Sequence, residues 1–562
     1  MKLKYFLNTE FTIVASAAFT IGFFSFLSKL LGVVRNRIFA GEFGAGDVMD
    51  TYFAAFLIPD FVYNLFIVGM LSSVFIPVFA HYRRQSLQEA WHLTHIVLTV
   101  FVTAVACAAL VAMAFAPELI SLVAPGFSPE KQKSAVALMR VMFLSPVLLG
   151  ISHVVGSILQ AHKMFFSFAL APIMYNTGII IGAVFFVKYF GVIGLAMGVV
   201  LGALLHLAIQ LPPLFKIGFS FRPAFDTAHK GVRKIAWLSL PRIVGLAATQ
   251  INFVVITAIA STVTPGSVAI FNFANDLQFV PIGIVAFSFA SAVFPFLAVH
   301  AAAGDIKAFL GRLYGAVNQI LFFVIPVSIF FILERAQIVR VILGYGQFSW
   351  EDTRLTAAAL GAFAISVFAQ SLVPLFSRAF FALENTKTPV FINVSSAMLN
   401  VVLSFFFLGL MREGGVFASA VGAAFRVSDV RGAEVLALPI AFSLSAIVNF
   451  AWLYIAFSRR VEQFDGSRIV SSLLKINLAA CVMALAVYGA LYSIAPHVNM
   501  QKFTGIFSQG MVAFFAGFLA YSAASYFLKI PEFFALREAV PLPARRLISR
   551  IPFIQINWED KL

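Results

Sequence analysis

Charge is scarce in this chain. Only 11% of its 562 residues are Asp, Glu, Lys or Arg, where a soluble domain carries about a quarter. Its two cysteines, Cys107 and Cys481, both sit inside apolar runs, which argues against a disulfide framework or a thiol metal site and for plain packing roles. No Ser/His/Asp arrangement, HExxH, phosphate loop or Cys/His metal spacing occurs, so nothing points to covalent or metal-assisted catalysis, and no cofactor or metal is expected. What the chain has in abundance is apolar surface: 61% of residues are hydrophobic and 66 are Phe. Apolar stretches of eighteen or more residues recur along nearly its whole length, and each can span a hydrocarbon core of about 30 Å as a helix rising about 1.5 Å per residue. Backbone groups in lipid must be satisfied within each segment, which helices do. The expected fold class is therefore an all-α polytopic membrane protein. The first run, roughly 11–34, is too long for a signal-peptide core and lacks a convincing cleavage site, so it reads as a helix of the mature protein.

The formal charge of +15 raises the question of nucleic acid, but the cations are scattered between apolar spans and form no single stripe. The positive-inside rule and an anionic lipid surface account better for that pattern, and no nucleic-acid partner is expected. Apolar windows and loop punctuation predict about fourteen helices, near 11–34, 48–80, 91–116, 134–160, 165–188, 190–212, 236–262, 267–300, 309–333, 355–382, 388–410, 434–457, 469–495 and 504–528. The strongest clusters of cations are "HYRR" at 81–84, the linker with Lys216, Arg222, Lys230, Arg233 and Lys234, and "SRR" ending at Arg460. They fall on one side if both termini are cytoplasmic.

The segment "DVMDTYFAAFLIPDFVYNLFIVGMLSSVFIPVFAH" has an echo about 220 residues later in "SVAIFNFANDLQFVPIGIVAFSFASAVFPFLAVH", aligning Val48 with Val268, Phe53 with Phe273, Ala54 with Ala274 and Leu57 with Leu277. A looser pair centres on Asn176 and Asn400. Two pseudo-repeated six-helix halves follow, 1–213 and 236–458, joined by a cytoplasmic linker at 214–235. Two additional transmembrane helices occupy 459–530, and a basic amphipathic tail occupies 531–562. Parallel repeats of this kind place a substrate path between halves that rock to alternate access. The tail carries Arg537, Arg545, Arg546 and Arg550 among Leu, Ile and Phe, a composition suited to anionic membrane lipids.

A charge at the centre of a span costs about 2.5–3.5 kcal/mol on insertion scales, so each one is a functional candidate. On the first helix Gly22, Ser25, Lys29, Gly32 and Asn36 share one face, a polar stripe ending near Arg35 and Arg37. Two roles are open to these cations: binding within the protein, or snorkelling to headgroups. The second helix carries Asp50, then Pro59, with Asp60 and Asn64 one turn apart. Its repeat partner places Asn272, Asn275 and Asp276 on one face. These acidic and amide groups either bind a coupling cation or proton, neutralise Lys29 and Arg35, or form interhelical hydrogen bonds. Arg378 and Glu384 lie about two turns apart near an inner helix end, with Asn385 beside them.

The run "SKLLGVVRNRIFAGEFGAGDVMDTYFAAFLIPDF", with "APGF" at 124–127, "QAHKMFFSFALAPIMYN" at 160–176, "LPRIVGLAATQIN" at 240–252 and "SRAFFALENTKTPV" at 377–390, resembles the MurJ/MviN lipid II flippases of the multidrug/oligosaccharidyl-lipid/polysaccharide exporter superfamily. The resemblance implies a transporter of the bacterial inner membrane, not an enzyme. Its cargo would be undecaprenyl-diphosphate-linked disaccharide-pentapeptide, carried from inner to outer leaflet for peptidoglycan synthesis. Substrate binding would fall to Lys29, Arg35, Asn36, Arg37, Asp60, Asn64 and Arg378. Coupling or gating would fall to Asp50, Asn272, Asn275, Asp276, Glu384 and Asn385, driven by membrane potential, sodium or protons. Cell-wall synthesis proteins are further candidate partners. The chain departs from the family pattern at Asn36, where an Asp is usual; at Tyr63 and Asn64, where two Arg are usual; at Val68, where an acid is usual; and at Asp276, where a cation is usual. An exporter of another polyprenyl-linked oligosaccharide or an amphipathic drug, and a non-transporting cell-wall scaffold, stand as alternatives. These exchanges leave three readings open: Arg37, Arg378 or another cation substitutes at a shifted site, a less anionic lipid-linked sugar is carried, or Asp276 pairs with Lys29 at rest and releases it when substrate or a cation binds.

Overall fold

The computed structural model describes residues 2–65, 75–500 and 502–539, without the side chains of 2–19, 240–242, 244–246, 248 and 537–539. Residues 66–74 of the first repeat segment, Val68 among them, the side chain of Arg242 in the 240–252 motif, and most of the expected basic tail thus lie outside the described residues or side chains. Regular structure is helical, with no strand among the described residues. The chain runs through α1 (Lys2–Phe43), α2 (Asp47–Tyr63), α3 (Phe75–Gln85), α4 (Leu87–Ala114), α5 (Ala116–Val123), α6 (Pro129–Met142), α7 (Leu144–Ala161), α8 (Phe165–Ile181), α9 (Val187–Phe190), α10 (Ile193–Ala208) and α11 (Leu211–Lys216). It continues as α12 (Lys230–Ser261), α13 (Ser267–Pro281), α14 (Phe287–Ala302), α15 (Ile306–Leu333), α16 (Arg335–Ile342), α17 (Trp350–Ala364) and α18 (Val367–Ala382). The last helices are α19 (Lys387–Arg412), α20 (Val416–Phe425), α21 (Ala437–Arg460), α22 (Ser467–Ile494), α23 (Phe503–Phe527) and α24 (Pro531–Ala539).

Among the described residues, ten helices are long and apolar enough to cross a membrane, or eleven if α17 and α18, bent by 46°, count as one broken span. The expected spans at 11–34, 48–80 and 236–262 run into residues or side chains outside the described set. The expected span at 134–160 is made of α6 and α7, interrupted at Phe143. Helix starts follow local chemistry. Ser86 Oγ accepts from Gln88 N at 3.1 Å ahead of α4, Ser128 Oγ accepts from Lys131 N at 3.4 Å ahead of Pro129 of α6, and Asp305 Oδ1 accepts from Ala308 N at 2.9 Å ahead of α15. Each satisfies a donor that a helix N-terminus leaves unpaired.

The chain divides into two compact units. The first comprises 1–280, 338–363 and 390–448. In it α8 and α10 meet backbone to backbone: a Cβ on Gly178 would lie 2.3 Å from the Gly202 Cα, and one on Gly182 would lie 2.3 Å from the Gly198 Cα. The four-residue glycine spacing puts small residues on one face, which lets two helices approach closely where lipid supplies no hydrophobic drive. The aligned repeat residues Phe53 and Phe273 also meet here, edge to face at 5.5 Å. The segment 411–434 forms the end of α19, α20 and a turn. That turn is bound to α17 by Arg354 Nη1 donating to Asp429 Oδ2 at 2.7 Å, while Arg412 Nη2 donates to Thr262 O at 2.8 Å.

The second unit comprises 281–337, 364–389 and 449–562. Its core gathers Phe309, Phe376 and Phe380 around Phe457, with ring centroids 5.4–6.4 Å apart. The last two spans dock on α15 through polar bonds, Asn318 Nδ2 to Ser472 Oγ at 3.0 Å and Tyr521 Oη to Phe322 O at 2.8 Å.

Candidate functional site

The last four turns or so of α1 carry Lys29, Arg35 and Arg37. Arg35 lies off the polar stripe of α1, yet its side chain reaches across it: Nε and Nη2 donate to Asn36 Oδ1 at 3.2 and 3.0 Å, and Nη1 donates to Asn176 Oδ1 on α8 at 3.3 Å. Asn36, 5% exposed, donates from Nδ2 to Asp276 Oδ2 on α13 at 2.8 Å, while Arg35 Nη2 stands 3.7 Å from the same oxygen. Asn36 is thus a bridge between guanidinium and carboxylate. Asn176 Nδ2 in turn donates to Ser28 Oγ at 3.4 Å. The cluster remains partly open, with 22% of the Arg35 side chain and 39% of the Asp276 side chain exposed. A guanidinium has five N–H donors, and three serve these bonds, so two remain for a ligand.

Lys29 sits nearby on α1 with its Nζ 5.9 Å from the centre of the Phe279 ring, and it has no ion pair among the described residues. The expected resting pair of Asp276 with Lys29 is therefore corrected: the carboxylate goes to Asn36 and Arg35, because these two converge on it from the same turn of α1. Arg37 points elsewhere. It donates to Val341 O and, at 3.0 Å, to Ile342 O, and its guanidinium lies 5.1 Å from the Tyr345 ring.

A second group lies on α2. Asn64 Nδ2 donates to Asp60 Oδ2 at 2.8 Å, and Gln250 Nε2 on α12 donates to the same oxygen at 3.3 Å. Beside it the Tyr63 hydroxyl meets His153 Nε2 at 2.8 Å. His153 stacks on His206, whose Nδ1 is 2.7 Å from Ser152 Oγ, and Ser152 accepts from Gln210 Nε2 at 2.7 Å. This buried chain was invisible in the sequence, since its members are spread over α2, α7 and α10 and its rim.

Asp50 belongs to a third arrangement. It is 1% exposed and accepts from Lys131 Nζ at 2.8 Å, Gly266 N at 2.7 Å and Ala269 N at 2.9 Å. The carboxylate caps the N-terminus of α13 from another helix, where the macrodipole favours a negative charge. Gly266 has φ +93°, and a Cβ there would lie 2.0 Å from Ala45 O. Of the remaining candidates, Asn272 bonds its own helix at Val268 O, Asn275 Oδ1 accepts from Gln278, and in the second unit Arg378 donates to Ser291 Oγ at 2.8 Å. Glu384 is exposed at φ +58°, and Asn385 caps α19 by accepting from Thr388 N at 3.1 Å. Asn176, Lys131 and Gln250 were missed as site residues; only Asn176 carried a signal, its place in the internal repeat.

A multi-pass helical bundle that holds cations and carboxylates within its spans has the build of a membrane transporter. A solved structure titled lipid II flippase MurJ, inward closed conformation, shares the fold, with a TM-score of 0.71 and 23% identity over 90% of this chain and 99% of that one. The family model described as lipid II flippase MurJ matches residues 39–508, beginning just past Arg35 and including Asn176 and Asp276. The chain belongs to that family. The probable lipid II flippase MurJ of Borreliella burgdorferi is 28% identical over 382 residues, 68% of this chain and 75% of that protein. The lipid II flippase MurJ of Burkholderia cenocepacia is 26% identical over 417 residues, 72% of this chain and 81% of that protein.

Proposed function

We propose that this protein is a lipid II flippase of the bacterial inner membrane, carrying undecaprenyl-diphosphate-linked disaccharide-pentapeptide from the inner to the outer leaflet by alternating access. The observation that carries the reading is the family match over residues 39–508. The Arg35 cluster supplies chemistry that the reading needs. A diphosphate cannot enter a low-dielectric environment without compensating charge, and a planar guanidinium with two uncommitted N–H donors suits phosphate oxygens. Lys29 adds a second cation on the same helix. Asp276 then serves as the resident counter-ion of Arg35 and gives way to the incoming phosphate. Asp50 and Arg37 act as clasps between segments of the first unit, and Arg378, Glu384 and Asn385 belong to the second unit.

The layout that accompanies this reading has fourteen spans in two six-helix halves, 1–213 and 236–458, joined by the 214–235 linker. The contact of Phe53 with Phe273 supports it. So does the parallel between Asn176, which bonds α1, and Asn400, which donates to Asn252 on α12 at 3.1 Å. Spans at 459–530 and the tail at 531–562 follow, with both termini in the cytoplasm. Transport is non-enzymatic. Moving one charge across the membrane potential is worth about 2.3 kcal/mol per 100 mV, enough to bias the direction of opening, and sodium or proton gradients are the other candidate drives.

The test is movement of a fluorescent lipid II analogue across liposomes containing the purified protein. Arg35→Glu is expected to abolish movement while the protein still inserts and folds. Full activity in that variant would remove Arg35 from the headgroup role.

A further inference from the structure

Apart from the charged cluster, the first unit contains an apolar cavity of about 390 Å³ between α4, α7, α11 and the loop that follows α11. That volume falls within the range of about 300–1,000 Å³ typical of small-molecule sites. Leu98, Val102, Ile151 and Val155 form its inner wall, and Phe215 and Phe219 close it from the loop side. The loop is fastened over the cavity: Arg222 N donates to His95 Nδ1 at 3.4 Å, Ala224 N donates to Thr99 Oγ1 at 3.1 Å, and Phe219 packs 5.2 Å from Trp91.

The chemistry at the mouth differs from that of the walls. Phe215 and Phe221 are 63% and 50% exposed, and each is followed in sequence by an exposed cation, Lys216 and Arg222. Across 211–234 the cations Lys216, Arg222, Lys230, Arg233 and Lys234 face a single carboxylate, Asp226. Nearby α3, which packs on α4, ends in exposed Arg83 and Arg84. An apolar cavity opening among aromatic rings and uncompensated cations matches a molecule with a hydrocarbon end and an anionic end. Basic segments beside a membrane surface attract anionic headgroups.

We propose that this cavity binds one acyl chain of an anionic glycerophospholipid from the leaflet beside the linker, with the lipid phosphate held by Lys216 and Arg222. The bound chain fills the space under the loop and ties the linker to α4 and α7. The site is separate from the cargo site, and its occupancy does not depend on which lipid-linked molecule the protein carries.

The test uses the full chain in vesicles of phosphatidylcholine and phosphatidylglycerol, with a photoactivatable diazirine on the acyl chain of one lipid or the other, and maps the labelled peptides. The phosphatidylglycerol probe is expected to label peptides containing 98–103 and 211–223 at least about fivefold more than the phosphatidylcholine probe. Lys216→Gln with Arg222→Gln is expected to bring that preference down to near equality, each cation accounting for up to about fivefold. Val102→Trp, which fills the cavity, is expected to remove labelling by both probes. If that variant fails to fold, the Lys216 and Arg222 substitutions decide, since both side chains are exposed. Equal labelling by the two probes, labelling indifferent to the lost cations, or no label in these peptides would overturn the proposal. Labelling requires no transport, so failure of this site and failure of the flippase reading are read separately.

Discussion

Replacing Asp50 by Asn should loosen the N-terminus of α13 without unfolding the protein. The carboxylate accepts from three donors, Lys131 Nζ, Gly266 N and Ala269 N, at 2.7–2.9 Å and is almost fully buried. An amide of the same shape offers one acceptor oxygen and turns an NH₂ group toward donors, so at least one of the three loses its partner. Bonds to a charged group contribute about 1.5–3 kcal/mol each, and removing one partner of a buried ion pair costs about 3–5 kcal/mol. Lys131 keeps Asp47 at 2.7 Å, so its charge is not orphaned. The net cost is therefore about 2–3 kcal/mol, or about 30–150-fold in the local opening equilibrium. Amide hydrogen exchange of residues 262–270 in lipid nanodiscs reads that equilibrium directly. The control is Asp47→Asn: the Asp47 side chain is 66% exposed, so its contribution should be about 1 kcal/mol or less. Less than about a threefold rise in exchange for Asp50→Asn, or the same rise for Asp47→Asn, would refute the capping argument. A rise spread over every helix would mean that Asp50 supports the whole fold instead of one helix end.

Two further outcomes follow from the packing and the loop. Gly178→Leu should destabilise the protein by about 1–3 kcal/mol or more, since its Cβ would meet the α10 backbone at 2.3 Å; thermal unfolding in detergent measures it, and an unchanged midpoint would show that α8 and α10 need no close approach. In the 426–432 turn, the hydrogen bond from Arg354 holds the Asp429 carboxyl down at about 2. A folded pKa below the unfolded value of about 3.9 means that this contact contributes fully above pH 4 and is lost only as pH falls toward 2. Protection of the turn should thus be flat from pH 8 to 5 after correction for intrinsic exchange, whereas Asp429→Asn should lower it at neutral pH. A transition near pH 6 would contradict the assignment.

The helical class and most spans were legible because lipid imposes a one-dimensional rule: about twenty apolar residues form a helix, and few other structures survive there. The cations of α1 were legible for the same reason, since a charge in an apolar run stands out without knowledge of its neighbours. The partners of those charges were not. Periodicity placed Arg35 beside the polar stripe, but its long side chain folds back to Asn36 and across to Asn176, 141 residues away. Likewise Asp276 was readable as an acid on α13 but not as the partner of Asn36, 240 residues earlier. Asp50 read as a membrane-embedded charge open to ion binding, and the fold makes it the cap of a distant helix.

The sequence by itself determined the solvent this protein lives in, the helical class of its apolar runs, and the places where charge had to be explained. Hydrophobic runs and their spacing act locally, so they survive being read one window at a time. Only the tertiary structure decided which charges meet, which donors stay available to a ligand, and which cavity lies beneath the basic linker. Those properties depend on distances between residues far apart in the chain, and such distances exist only after the helices have packed.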